Sequence, residues 1–109
     1  MIIFEDFQKL EIKIGEILEA EAVPEADRLL KFKVDLGEGD IRIIISGVRE
    51  HYPDPAVLIG RQVPVLVNLA PRMIKGIESQ GMILYAVGEG ENFTTLEPSK
   101  KIPPGTIVR

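Results

Sequence analysis

Two stretches decide how this chain folds: residues 30–36, Leu30-Lys31-Phe32-Lys33-Val34-Asp35-Leu36, and residues 41–46, Ile41-Arg42-Ile43-Ile44-Ile45-Ser46. In the first, Leu30, Phe32, Val34 and Leu36 alternate with Lys31, Lys33 and Asp35; in the second, Ile41, Ile43 and Ile45 alternate with Arg42, Ile44 and Ser46. A period of two is the mark of a strand with one buried face. Gly37-Glu38-Gly39-Asp40 between them reads as a four-residue hairpin loop, which pairs Leu36 with Ile41, Val34 with Ile43 and Phe32 with Ile45. That register sets Lys31 beside Ser46, Lys33 beside Ile44 and Asp35 beside Arg42, on an outer face that is basic and nearly free of aromatic rings.

Upstream, residues 11–23 form one long, bent strand with Ile12, Ile14, Leu18 and Ala20 on one face and Gly15 as the point where it bulges or coils. Phe4, Phe7 and Leu10 suit a short helical turn that plugs a barrel end, and Pro24-Glu25-Ala26-Asp27 makes a turn. Downstream, Asp54-Pro55-Ala56-Val57-Leu58 is an N-capped short helix with proline at its first position, closed by Gly60. Residues 62–69 and 81–87 are the fourth and fifth strands, the latter with Met82, Leu84 and Ala86 on one face. The connection Pro71-Arg72-Met73-Ile74-Lys75-Gly76 between them carries two cations three residues apart. Beyond Val87, residues 93–96 and 102–108 are short extended pieces broken by proline, as edge strands are. The expectation is an all-β chain: a five-stranded OB-fold barrel with a short helix between strands 3 and 4 and a C-terminal extension over 88–109, all within one domain, 1–109.

Composition sets the bounds. A chain of 109 residues that is 45% hydrophobic closes one core and is too short for two ordinary domains. Cysteine is absent, which excludes disulfides, zinc ribbons and thiolate catalysis and suits an intracellular, cytoplasmic setting. The start, Met1-Ile2-Ile3-Phe4-Glu5-Asp6, lacks the pattern of an export signal, and no apolar run approaches the roughly 20 residues that cross a bilayer, so no membrane partner is expected.

The formal net charge of -4 argues against a polyanionic partner until its distribution is read. Residues 1–27 hold eight acids against Lys9 and Lys13, whereas residues 28–75 hold Arg28, Lys31, Lys33, Arg42, Arg49, Arg61, Arg72 and Lys75 against five acids. An OB barrel binds its ligands on strands 2 and 3 and on the loops joining strands 1 to 2 and 4 to 5. Lys31, Lys33 and Arg42 fall on the first surface, Arg28 in the first loop, and Arg72 and Lys75 in the second. These cations either neutralise phosphates or form an ordinary solvated strand face; alternation by itself does not separate the two.

Other chemistry finds little support. Stacking platforms for single-stranded bases are missing from the outer face, since Phe32 points inward by parity, and a folded RNA read by shape and backbone fits better. Tyr85 is read as a packed core or interface residue. His51, the sole histidine, has no cysteine to join it at a metal and is expected in a surface loop. Ser79 in Gly76-Ile77-Glu78-Ser79-Gln80-Gly81 has its glycines at the wrong offsets for a nucleophile elbow, and the Gly-Glu-Gly triplets lack the helix and lysine of a phosphate cradle. No cofactor, metal or catalytic residue is expected.

Four stretches carry a resemblance: Pro24-Glu25-Ala26-Asp27-Arg28-Leu29 leading into residues 31–37; Ile45-Ser46-Gly47-Val48; Val67-Asn68-Leu69-Ala70-Pro71-Arg72; and Lys75-Gly76-Ile77-Glu78-Ser79-Gln80-Gly81-Met82. In these the chain resembles the tRNA-binding domain of methionyl-tRNA synthetases and of the free-standing structure-specific tRNA-binding proteins. The resemblance implies a homodimeric, non-catalytic OB barrel that binds the outer corner of tRNA with little sequence choice and assists a methionyl-tRNA synthetase catalytic chain. Position by position, it implies a tRNA-contacting set of Lys31, Lys33, Arg42, Asn68, Arg72, Lys75, Ser79 and Met82. Ala70 stands where a lysine is common in that family. A related dimer is a protein-export chaperone, the alternative reading, which differs at residues 45–47 and 79–82.

Overall fold

In the computed structural model, which describes residues 1–109 throughout, the barrel is built from β1 (Ile12–Ala22), β2 (Leu30–Asp35), β3 (Ile41–Ser46), β4 (Gln62–Leu66) and β7 (Met82–Ile83), hydrogen-bonded in the order β3-β2-β1-β4-β7. β1 is long enough to serve two partners, pairing with β4 over residues 12–16 and with β2 over residues 16–22. Its phase shifts by a bulge between Ile17 and Glu19, which leaves Leu18 exposed and carries Ile17, Ala20 and Ala22 to the same inner face as Val34, Phe32 and Leu30. The bulge is therefore at Leu18 and not at Gly15. Gly15 answers a different need: a Cβ there would lie 2.5 Å from Val34 Cγ1 and 3.2 Å from Val65 Cγ2, so the barrel closes over it only because no side chain is present.

The central hairpin forms one residue out of the expected register. Leu36 N–H donates to Asp40 C=O over 2.8 Å and Asp40 N–H to Gly37 C=O, so the loop is three residues long, and Phe32 faces Ile44 while Val34 faces Arg42. Lys31 and Lys33 accordingly lie beside Ile45 and Ile43. Three consecutive isoleucines, 43–45, satisfy either parity, because both faces of β3 are covered: Ile44 enters the barrel, and Ile43 and Ile45 pack with Val23, Ala26, Ile74 and Ile77 in a second apolar cluster.

The barrel core gathers Ile17, Leu30, Phe32, Val34, Val63, Val65 and Ile83. Its plug is Leu58, fully buried at the end of a 3-10 turn (Pro55–Leu58) that Asp54 caps through Ala56 N–H, not the aromatic start of the chain. The N-terminal helix α1 (Phe4–Phe7) leaves Phe4 two-thirds exposed. The fourth strand stops at Leu66, and the expected fifth is broken: β7 ends at Ile83, and β8 (Tyr85–Val87) turns away to pair with β9 (Phe93–Thr95). Leu84 N–H at the break bonds to Pro64 C=O, and Ile83 is the inward residue while Met82 faces out. His51 is half-buried and stacked 3.8 Å from Phe93, which holds the β8–β9 hairpin to the barrel. The last strand, β10 (Ile107–Val108), pairs with the start of β1.

Candidate nucleic-acid interface

Between β4 and β7 the chain throws out a small hairpin, β5 (Arg72–Ile74) and β6 (Ile77–Ser79). Its two turn residues, Lys75 at φ 52° and Gly76 at φ 79°, are both left-handed, the geometry of a tight hairpin turn whose second position favours glycine. The hairpin folds back over β3, and its end closes the barrel. Gln80 N–H donates to Ile43 C=O, Ile43 N–H donates to Gln80 Oε1, and Ile45 N–H donates to Ser79 Oγ over 3.0 Å. The seam is thus sewn largely by two side chains where a strand ladder would otherwise run.

This arrangement opens a cavity of about 410 Å³ between the hairpin, β3 and β7. Arg72 is the one charged residue lining it, and no carboxylate does, in a chain with 17 acidic residues. Leu69, Ala70 and Met82 form an exposed apolar mouth, and the hydroxyls of Ser46, Ser79 and Tyr85 are its polar side-chain groups. Tyr85 donates to Ser46 Oγ over 3.0 Å, and burial pushes its pKa up to about 12, so the phenol stays neutral.

The expected site residues divide. Arg72 and Lys75 are exposed and make no ion pair, and Met82 is exposed at the cavity mouth. Lys31 and Lys33 lie outward but are matched across β1, Lys31 Nζ 3.7 Å from Glu21 and Lys33 Nζ 3.3 Å from Glu19, so that face is an alternating charge lattice and not a basic one. Both pairs are exposed and weak, about 1 kcal/mol or less.

Arg42, Asn68 and Ser79 are engaged inside the molecule. The Arg42 guanidinium donates to Val67 C=O (2.6 Å), to Gln80 C=O (3.3 Å) and twice to Asp40 (3.1 Å each). Asn68 accepts from Glu11 N–H and donates to Lys9 C=O, clamping the entry to β1. Two arginines outside the expected set adjoin lining residues in the chain, Arg28 next to Leu29 and Arg49 next to Val48. Arg49 N–H bonds to Arg28 C=O and the Arg49 side chain donates to Ala26 C=O, which brings the loop after β1 and the end of β3 together next to Leu29 and Val48 of the cavity. Arg28 was visible as a loop cation; Arg49 had no positional signal, because only the fold brings residues 28 and 49 together.

A barrel of this order, with its groove over β3 and the β4–β7 connection, defines the oligonucleotide- and oligosaccharide-binding class of folds. Residues 12–107 match the family model described as "Putative tRNA binding domain", and the chain belongs to that family. A methionine–tRNA ligase of Methanococcoides burtonii is 47% identical over 108 residues, 99% of this chain and 16% of the ligase. A methionine–tRNA ligase of Porphyromonas gingivalis matches to the same extent, so the chain spans about a sixth of the length of these relatives. Among solved structures, a MetRS related protein from Pyrococcus horikoshii superposes with a TM-score of 0.91 at 30% identity, covering 100% of this chain and 98% of that one. The chaperone CsaA from Bacillus anthracis gives a TM-score of 0.88, also at 30% identity, covering 100% and 99%.

Proposed function

We propose that this chain binds tRNA without catalysis, through the groove between β3 and the β5–β6 hairpin, and works beside a methionyl-tRNA synthetase. The observation that carries the reading is the cavity in which Arg72 is the sole charge, set on an acidic chain that belongs to the putative tRNA binding domain family. Arg72, Lys75, Arg28 and Arg49 supply the positive rim, Lys31 and Lys33 join it by exchanging Glu21 and Glu19 for phosphate, and Met82 and Ser79 line the recess. Arg42 and Asn68 act by holding the barrel in shape. Residues 1–109 act as one unit that raises the local concentration of tRNA at the synthetase, as a detached subunit, a free factor or a tethered domain.

Each phosphate contact contributes about 0.7 to 0.9 to the slope of log affinity against log salt. Titration of total tRNA at several salt concentrations is expected to give a slope that Arg72→Ala lowers by about that amount, for all tRNAs alike. An unchanged slope removes Arg72 from the interface.

The unit is a homodimer in this reading. Phe4, Phe7, Leu10, Ile12, Ile107 and Val108 are six of the ten residues around a groove of about 680 Å³, the others being Gln8, Glu11, Lys13 and Arg109; with exposed Ile2 and Ile3 beside it, a second copy suits it. Sedimentation showing only monomer at micromolar concentration overturns the dimer. The likeness to the chaperone CsaA favours a second reading, polypeptide binding by the same apolar surfaces. Protection of an unfolded protein from aggregation, with no retardation of tRNA in a gel, decides for it.

A further inference from the structure

The recess is larger than a phosphate contact needs, and its lining is wrong for one. Nine of its 14 lining residues are hydrophobic: the buried Ile45, Val48 and Ile83 form its floor, and Leu29, Leu69, Ala70 and Met82 its more accessible side. Its side-chain hydroxyls are those of Ser46, Ser79 and Tyr85; Tyr85 donates to Ser46, and Ser79 accepts from Ile45 N–H and donates to Gly81 C=O, so what they offer a ligand is their remaining hydrogen-bonding capacity. A flat group with apolar faces and polar edges, attached to an anion, complements that combination. A free anion does not, because only Arg72 would meet it.

We propose that this cavity takes a single unstacked nucleobase of the bound RNA, Arg72 holding the adjoining phosphate and Met82 closing over the base. The inference rests on the tRNA-binding reading and adds the part of the RNA that is read. A run of bases is not accommodated: Tyr85 is the one aromatic ring in the recess, and its other neighbour is Phe93, at a ring separation of 5.2 Å. Paired, stacked RNA presents no base to such a recess, so an unpaired nucleotide at a bulge or loop is the required feature.

The test compares the affinities of two RNA duplexes of matched phosphate count, one fully paired and one with a single-nucleotide bulge, beside intact tRNA. Captured bases are worth enough to make the bulged duplex bind about tenfold tighter. Met82→Ala, at an exposed position outside the core, is expected to cut that ratio several-fold, and Ala70→Leu, which narrows the mouth, to do the same. Methyl resonances of Val48 and Ile83 shift with the bulged RNA and not with the paired one. Equal affinity for both duplexes, with tRNA still bound, overturns base capture and leaves the tRNA reading standing; failure to bind tRNA at low salt overturns both. Shifts of the Val48 and Ile83 methyls with an apolar peptide, and none with bulged RNA, assign the recess to polypeptide and overturn the proposal.

Discussion

Replacing Arg42 separates a residue that builds the groove from one that touches the ligand. Its guanidinium bonds the carbonyls of Val67 and Gln80, which lie on the two sides of the β4–β7 connection, and anchors both to β3. Hydrogen bonds to a charged group are worth about 1.5 to 3 kcal/mol each, whereas the pair with Asp40, a partly exposed carboxylate, adds about 1 kcal/mol or less. The Gln80 bond is long at 3.3 Å, so the Val67 bond dominates, and Arg42→Ala is expected to cost about 2–3 kcal/mol. With a urea dependence of about 1–3 kcal/mol per molar, the unfolding midpoint falls by roughly 1 M or more. Arg42→Lys keeps the charge and loses the planar fork, so most of the destabilisation persists. In tRNA titrations both folded variants keep the wild-type salt slope. The reasoning fails if Arg42→Ala unfolds at the wild-type midpoint while its salt slope drops by about 0.7–0.9.

Four further outcomes are expected. Gly15→Ala pushes a methyl into Val34 and Val65 and lowers stability by about 1–3 kcal/mol, read by thermal melting. Asn68→Ala releases Lys9 C=O and Glu11 N–H and costs about 1 kcal/mol, with faster amide exchange at Glu11 as its local sign. The double change Glu19→Gln and Glu21→Gln frees Lys33 and Lys31 and raises tRNA affinity a few-fold at low salt; unchanged affinity puts that face outside the interface. Tyr85 holds its proton more tightly when folded, so its contribution to stability is complete below pH 10 and is lost as pH rises toward 12; denaturation followed across that window is expected to be shallower for Tyr85→Phe.

Strands showed themselves where one face is wet. Leu30 to Leu36 alternates cleanly because Lys31 and Lys33 meet solvent and Glu21 and Glu19, while Phe32 and Val34 meet only the core. The partner strand was legible as a strand but not in its register, because Ile43, Ile44 and Ile45 are all covered and Glu38, a non-glycine, adopts a left-handed φ of 53° that shortens the loop by one residue. The same ambiguity misplaced Arg42, whose inward parity sends its fork to backbone carbonyls. The cavity was legible only in its loops. Arg72 and Lys75 stand out as cations in a connection, but the meeting of residues 28 and 49, and the burial of Ser79 against Ile45 N–H, depend on contacts between segments far apart in the chain. His51 looked like a loop histidine because nothing near it in sequence announces the ring of Phe93.

Closing the barrel with the side chains of Gln80 and Ser79 gives the molecule one line along which it can loosen without breaking a continuous ladder. The amides of Ile43 and Ile45 lie on that line and depend on those two side chains. Their deuterium uptake is therefore a built-in gauge of how firmly the β5–β6 hairpin is seated, and a ligand lodged beneath it should be visible there as slowed exchange, with the distant β1–β4 amides unaltered.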